Sequence, residues 1–259
     1  MDLESFNTSR ESLVPLLALN NKSNKNIIIF PTDKEAIEFS TDFSNLNKDI
    51  YHLPSWDTLS YDSFAPSLDI QGKRLEIAHL LLTTDTYNIA TSIKAIAQRI
   101  YFEELEICNI SLNEEIDFDL LIENLIHLKY QRKDRVESKG SFAIRGGQLD
   151  VFPINYDLPL RVIFDGDLVN EIKTFDTISQ RSISEKSNFL VVPATELFQI
   201  QQSDILNLSS HNKENLDDYE LFQYSQNLDL EKCLLDLTSK ATLHLSLIHI
   251  SEPTRRYRI

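Results

Sequence analysis

A chain of 259 residues with 42% hydrophobic and 25% charged positions has globular composition, enough to bury one or two cores. Its formal charge of −15 excludes a general nucleic-acid or anionic-membrane binder, because attraction to phosphate needs a basic face. Cys108 and Cys233 are far apart without CxxC spacing, which fits a reducing compartment and offers no metal site. The opening "MDLESFNTSR" is neither secretory signal nor transit peptide, and no apolar run reaches membrane-spanning length. A cytoplasmic protein is expected.

The first hundred residues alternate two periods. "NIIIFP" (Asn26–Pro31) is a β-branched run of the kind found in buried parallel strands. "TDKEAIEFSTDF" follows as a helix capped by Thr32 or Asp33, with Ala36, Ile37 and Phe43 on its inner stripe. "DIYHLP" reads as the next strand. "DIQGKRLEIAHLLL" (Asp69–Leu82) is a helix with Ile70, Leu75, Ala78 and Leu82 facing inward. "YNIATSIKAIAQRI" closes the series with a strand, a Thr/Ser cap and a helix. Such alternation means an α/β layer on a mostly parallel sheet.

Near residue 107 the pattern changes. "IDFDLLIENLIHLKY" is an amphipathic helix with Asp117 as cap and Leu121, Leu125 and Leu128 on one face. Strands then follow without intervening helices. Phe142 and Ile144 fall on even positions, Leu149 and Val151 on odd ones, so the register slips at Gly146–Gly147 through a bulge or tight bend. "LRVIFDGDLV" is a hairpin with Asp165–Gly166 at its turn, and "NEIKTFD" extends the return strand. The module ends near "NFLVVPATELF"; residues 201–240 are acidic and weakly helical.

No catalytic constellation is present. There is no GxxxxGK[ST], GxGxxG, HExxH or GxSxG, and the histidines do not cluster at ligand spacing. Catalytic, cofactor and metal residues are therefore expected to be none. Two stretches stand out. The loop "HLPSWDTLSYDSFAPSLDI" carries the only tryptophan, Trp56, which either plugs the loop onto its domain or belongs to a substrate lid formed by residues 54–69. "YQRKDRVESKGSFAIRGGQLDVFP" concentrates cations in an acidic chain, a net +4 from Leu128 to Arg145. An antiparallel pairing here could bring Arg132 close to Arg145, and Arg145 should project outward. Guanidinium groups on a rigid strand suit carboxylate or phosphate partners.

Both stretches resemble the Mfd family of transcription-repair coupling factors. "LPSWDTLSYDSFAPSLDIQGKRL" is similar to the family's first-domain motif, LPxWxTLPYDxxSP followed by a helix with SxRL. "YQRKDRVESKGSFAIRGGQLDVFP" and "LRVIFDGDLVNEIKTFDTISQRS" resemble the UvrB-interaction module that follows it, whose UvrB version runs YxRND…FRVRGDxxxIFP. The resemblance covers Asn26 to Pro193. Ser60 stands where proline is common, Lys133 replaces the usual asparagine, and Ala143 replaces an additional UvrB arginine.

The resemblance implies an α/β fold: a degenerate, helicase-like parallel-sheet domain without an ATP site, with an inserted small antiparallel α+β module. Its implied layout is 1–106 for the first domain, 107–198 for the UvrA-docking module and 199–244 for a segment returning to the first domain. The implied UvrA-binding residues are Arg132, Arg145, Asp134 and Phe152, supported by Gly146, Gly147 and Trp56. UvrA is the implied partner of a monomeric chain. RNA polymerase and DNA would be reached only through downstream domains, where ATP and magnesium would also act. The alternatives are a fragment of the excision-repair helicase subunit UvrB, or a stand-alone α/β enzyme. Finally, "LSLIHISEPTR" (Leu245–Arg255) reads codon by codon like a translated transposon-end sequencing adapter, so 245–259 is expected to be an artefact without defined structure.

Overall fold

The computed structural model describes residues 2–6, 25–45, 49–58, 64–98, 105–197 and 242–246. The chain divides into two compact units, one formed by Met1–Trp56, Ile77–Ile100 and Leu230–Ile259, the other by Asp57–Glu76 and Tyr101–Asp229.

The first unit is built on a parallel sheet. Its strands are β1 (Asp2–Phe6), β2 (Lys25–Phe30), β3 (Tyr51–Leu53), β4 (Tyr87–Ser92) and β13 (Thr242–Ser246), in the order β1-β13-β2-β4-β3. Every neighbouring pair runs parallel. Helix α1 (Asp33–Ser44) starts at Thr32, whose side chain accepts from the Glu35 amide and so satisfies one orphan donor of the first turn. It packs Ala36, Phe39 and Phe43 against Ile28, Phe30 and Ala90. The rings of Phe30 and Phe39 lie 5.0 Å apart. Ile37, expected on the inner stripe, is exposed, and Phe39 takes its place. Strand β4 ends at Ser92, which caps the short helix α3 (Ile93–Ala97) by accepting from Ala95.

Strand β13 pairs with β1 and β2, and Leu245 sits opposite Ile29. Leu245 and Ser246 therefore continue a strand where the adapter-like stretch was expected to lack structure. Backbone pairing to the strands on either side depends little on side-chain identity. Residues 198–241 and 247–259 lie outside the described residues, as do Ser60 and Tyr61.

Helix α2 (Leu68–Thr83) crosses the division between the units, with Leu75, Ile77, Ala78 and Leu81 buried. Leu82, expected inside, is exposed.

The second unit centres on a mixed sheet in the order β11-β10-β9-β8-β7-β6. Its strands are β6 (Gln131–Arg132), β7 (Ser141–Arg145), β8 (Gln148–Phe152), β9 (Leu160–Asp165), β10 (Leu168–Phe175) and β11 (Ser182–Glu185). A two-stranded ribbon joins β5 (Cys108–Ser111) to β12 (Asn188–Val191). Helix α4 (Phe118–His127) is capped by the Asp117 carboxylate, which accepts from Leu120. Leu121, Leu125 and Leu128 pack with Phe142, Leu149, Val151, Val162 and Ile172 into one core, as the spacing predicts. Tyr130, pushed well above its ordinary pKa by burial, donates its hydroxyl to the Val192 carbonyl.

Gly146 and Gly147 form a two-residue hairpin turn between the paired Arg145 and Gln148, a tight bend and not a bulge. Gly146 alone has positive φ (60°), as a turn with glycine at its first central position needs. A Cβ on Gly147 would come within 2.9 Å of the Phe164 carbonyl oxygen, so close backbone approach keeps that position small. The β9–β10 turn is Gly166–Asp167, one residue later than expected, with Asp165 opposite Leu168.

Candidate protein-docking surface

Because side chains alternate along each strand, the sheet of the second unit has an apolar face on α4 and a second, polar face. On the polar face the register sets Ala143 beside Asp150, Asp150 beside Arg161 and Arg161 beside Lys173. A parallel row sets Arg145 beside Gln148, Gln148 beside Ile163 and Ile163 beside Glu171.

Asp150 is 3% exposed and organises this face. Arg161 grips it in a fork, Nε to Oδ1 at 2.7 Å and Nη2 to Oδ2 at 2.8 Å, and Gln148 Nε2 donates to both oxygens at 3.0 and 3.1 Å. A buried carboxylate needs such full satisfaction, and bidentate pairing supplies it with fixed geometry. That hydrogen bonding raises the Arg161 pKa further above its ordinary value. The Arg161 guanidinium also stacks 4.6 Å from the Phe175 ring centroid. Phe175 belongs to a small second cluster with Val136, Ala143 and Phe152.

Upon this base sit the exposed cations. Arg145 ends β7 at the margin of the sheet, and its Nη2 donates to the Asp134 carbonyl at 3.1 Å. Arg132 lies on β6, which runs parallel to β7 with Arg132 opposite Phe142. The antiparallel pairing expected from the sequence is thus corrected: the 133–140 segment carries the chain back so that β6 and β7 share a direction. Arg132 shares the register of core-facing Phe142 and Arg145 that of Ala143, so an odd separation of three β7 positions sets the two exposed arginines on opposite faces of adjoining strands. Positive φ at Lys129 (68°) and Gly140 (76°) brackets this excursion. Lys133 donates to Ser138 Oγ, and Arg135 Nη2 donates to the carbonyls of Thr177 and Ile178 at 2.9 and 2.8 Å.

Of the remaining residues singled out from the sequence, Asp134 is exposed and contributes its carbonyl to Arg145. Phe152 is 8% exposed, its ring beneath the surface in the small cluster with the Lys139 ammonium 5.8 Å from its centroid. Its place is in the foundation more than on the contact surface. Trp56 is buried in the first unit, where its amide donates to Gln98 and its carbonyl accepts from Lys94 Nζ at 2.9 Å.

Sequence reasoning missed a buried pair in the second unit. Arg74 Nε donates to Glu196 Oε1 at 2.7 Å, with side chains 0% and 2% exposed. Gln71 joins it, accepting from the Glu196 amide and donating to the Pro66 carbonyl. The only signal available was Arg74 beside the core position Leu75 in the helical stretch "QGKRLEI". Among the described residues no group of His, Cys, Asp and Glu is placed to hold a metal, and no helix is long and apolar enough to cross a membrane.

Comparison with known proteins gives this surface its context. Residues 108–197 match the family described as UvrB interaction domain. The chain is 31% identical over 169 residues to the transcription-repair-coupling factor of Mycobacterium tuberculosis (strain CDC 1551 / Oshkosh), covering 61% of this chain and 14% of that protein. It is 29% identical over 174 residues to that of Escherichia coli (strain K12), covering 66% and 15%. Against the UvrABC system protein B of Lactobacillus johnsonii it is 25% identical over 172 residues, covering 65% and 26%. The chain thus spans less than a fifth of the length of these two transcription-repair-coupling factors. The chain is therefore similar to bacterial transcription-repair-coupling factors, and its residues 108–197 match the UvrB interaction domain.

Proposed function

We propose that this chain recruits the excision-repair protein UvrA through the margin formed by Arg132, Asp134 and Arg145. The observation that carries the reading is the exposure of the two arginines within the matched UvrB interaction domain, Arg132 on β6 and Arg145 at the end of the β7–β8 hairpin beside a satisfied Asp150–Arg161 base. Guanidinium groups so held lose little freedom when they meet carboxylates on a partner. The acidity of the rest of the chain is no obstacle, since the partner surface is protein and not nucleic acid.

In this reading the parallel-sheet unit is a helicase-like fold without an ATP site. The chain acts in the cytoplasm as a monomeric adaptor, binds no cofactor and catalyses no reaction itself. DNA translocation and RNA-polymerase contact belong to other parts of the longer relatives. The test is titration of purified UvrA against the chain beside an Arg132→Glu/Arg145→Glu double variant. Charge reversal should weaken binding by about 2–5 kcal/mol while the unfolding midpoint stays in place. Unchanged affinity in a folded double variant would overturn the reading.

A further inference from the structure

The turn at 176–181, between β10 and β11, is fastened from every side. The Asp176 carboxylate accepts from the amides of Ile178 and Ser179 at 3.2 and 2.7 Å, and the Gln180 amide closes the turn on the Asp176 carbonyl at 2.8 Å. Gln180 adopts positive φ (59°). Arg161, already committed to Asp150, donates Nη1 to the Gln180 carbonyl at 3.2 Å. Gln180 Nε2 donates to the Thr177 and Val136 carbonyls at 2.8 and 3.4 Å, and Arg135 binds the carbonyls of Thr177 and Ile178.

This fixed turn carries an isoleucine in water. Ile178 is 86% exposed, and Ile183, on β11 of the same hairpin, is 57% exposed. A lone exposed apolar residue needs no explanation. Here, however, the backbone of the residue is held by the guanidinium of Arg135, the neighbour of the Asp134 whose carbonyl holds Arg145. The apolar tip therefore adjoins the segment that carries Lys133, Arg135 and Arg145, in which Glu137 pairs with Arg135 at 3.5 Å. An apolar side chain on a preorganised backbone, beside a stretch whose cations outnumber its carboxylates, is the composition of an interface anchor.

We propose that the 176–181 turn, with Ile178 at its tip, is the apolar anchor of the docking surface, fitting an apolar socket bordered by carboxylates on UvrA. The inference rests on the UvrA reading above and deepens it. Charge selects the occupant: the cations beside Ile178 repel a basic surface and leave an acidic one favoured.

The experiment is UvrA titration of the whole chain and of three variants: Ile178→Asp, Ile178→Val, and the Arg132→Glu/Arg145→Glu pair. Ile178→Asp should weaken binding about tenfold or more, mainly through faster dissociation. Its unfolding midpoint should match the wild type, since so exposed a side chain packs against little. Ile178→Val should bind within about threefold of wild type, because it keeps most of the apolar surface. If Ile178→Asp binds like wild type while the arginine pair is silent, the turn is outside the surface and only this inference falls. If the arginine pair also binds normally, the UvrA reading falls and takes the anchor with it. A variant that changes only self-association of the chain, read by light scattering, places a second copy on Ile178 and likewise overturns the proposal.

Discussion

Arg74 and Arg145 carry the same guanidinium in opposite surroundings within the second unit. Arg74 is fully buried with Glu196 at 2.7 Å and Gln71 completing the cluster. Arg145 is exposed and held by one donor on a backbone carbonyl, leaving the rest of its fork facing solvent. Arg161 lies between these extremes, one edge locked on Asp150 and a third donor on the turn that displays Ile178. The contrast separates two uses of arginine. Where its donors are consumed inside the fold it sets structure, and where they are spare on a rigid support it is available to a partner. The density of arginine in a sequence does not distinguish them; burial and the partners the fold brings to each do.

The sharpest way to break the comparison is Arg74→Met. Removing the cation leaves the Glu196 charge buried, and such one-sided breaks cost about 3–5 kcal/mol. Denaturant unfolding should show that loss, and an Arg74→Met/Glu196→Leu double variant should recover most of it. A single variant that loses less than about 1 kcal/mol would mean the pair behaves as a solvated surface contact. Next in size is Gly72→Ala in α2. Alanine ordinarily favours a helix, but here its Cβ would fall 2.3 Å from the Ile154 carbonyl oxygen and 2.7 Å from the Asn155 nitrogen. Backbone must move, so a loss of about 1–3 kcal/mol is expected instead of a gain. Equal or greater stability would refute the close approach.

Arg161→Lys probes the intermediate case. Lysine keeps the charge but not the planar fork, so Asp150 loses one of two parallel bonds and Gln180 loses its donor. A loss of about 1–2 kcal/mol in stability is expected. UvrA affinity should fall as well, because the 176–181 turn is released while Arg132 and Arg145 are untouched. A variant that loses stability but binds UvrA as tightly as wild type would show that turn and docking margin are independent.

Much of this arrangement was legible in the sequence, and the failures have physical causes. The α4 stripe of Leu121, Leu125 and Leu128 and its Asp117 cap could be read directly, because period and cap chemistry are local. In α1 and α2 nearby apolar residues offer alternative stripes, and spacing alone selects Ile37 over Phe39 and Leu82 over Leu81. The parallel β6–β7 pairing depends on an eight-residue excursion whose reversals occur at Lys129 and Gly140, and strand patterning carries no trace of them. Arg74 and Glu196 are 122 positions apart, so only the folded chain brings them together. At the docking margin the cationic cluster is visible in the sequence, while Ile178 stands unremarked beyond the end of the expected return strand. Its fixed display emerges only when Arg135 is seen to bond its carbonyl and Arg161 and Gln180 to fasten the rest of the turn.

The smallest expected effect concerns Asp176, whose carboxyl is held below its ordinary pKa, chiefly by the Ser179 amide. A carboxylate with a depressed folded-state pKa stabilises the fold above its unfolded value, and that contribution is lost as pH falls through the folded one. The relevant window therefore runs from the usual carboxylate range, about pH 4, downward. Because Asp176 lies at an accessible turn, solvent screens the contribution and its size is small. Asp176→Asn should be slightly less stable than wild type at neutral pH, and the difference should close as the wild-type carboxylate is protonated. Hydrogen exchange at the Ile178 and Ser179 amides should follow the same course, faster in the variant at neutral pH and converging in acid. A difference that persists unchanged to low pH would mean the charge of Asp176 does not hold the turn. The rigidity that sets Ile178 apart from an ordinary exposed residue would then rest on Arg135, Arg161 and Gln180 alone.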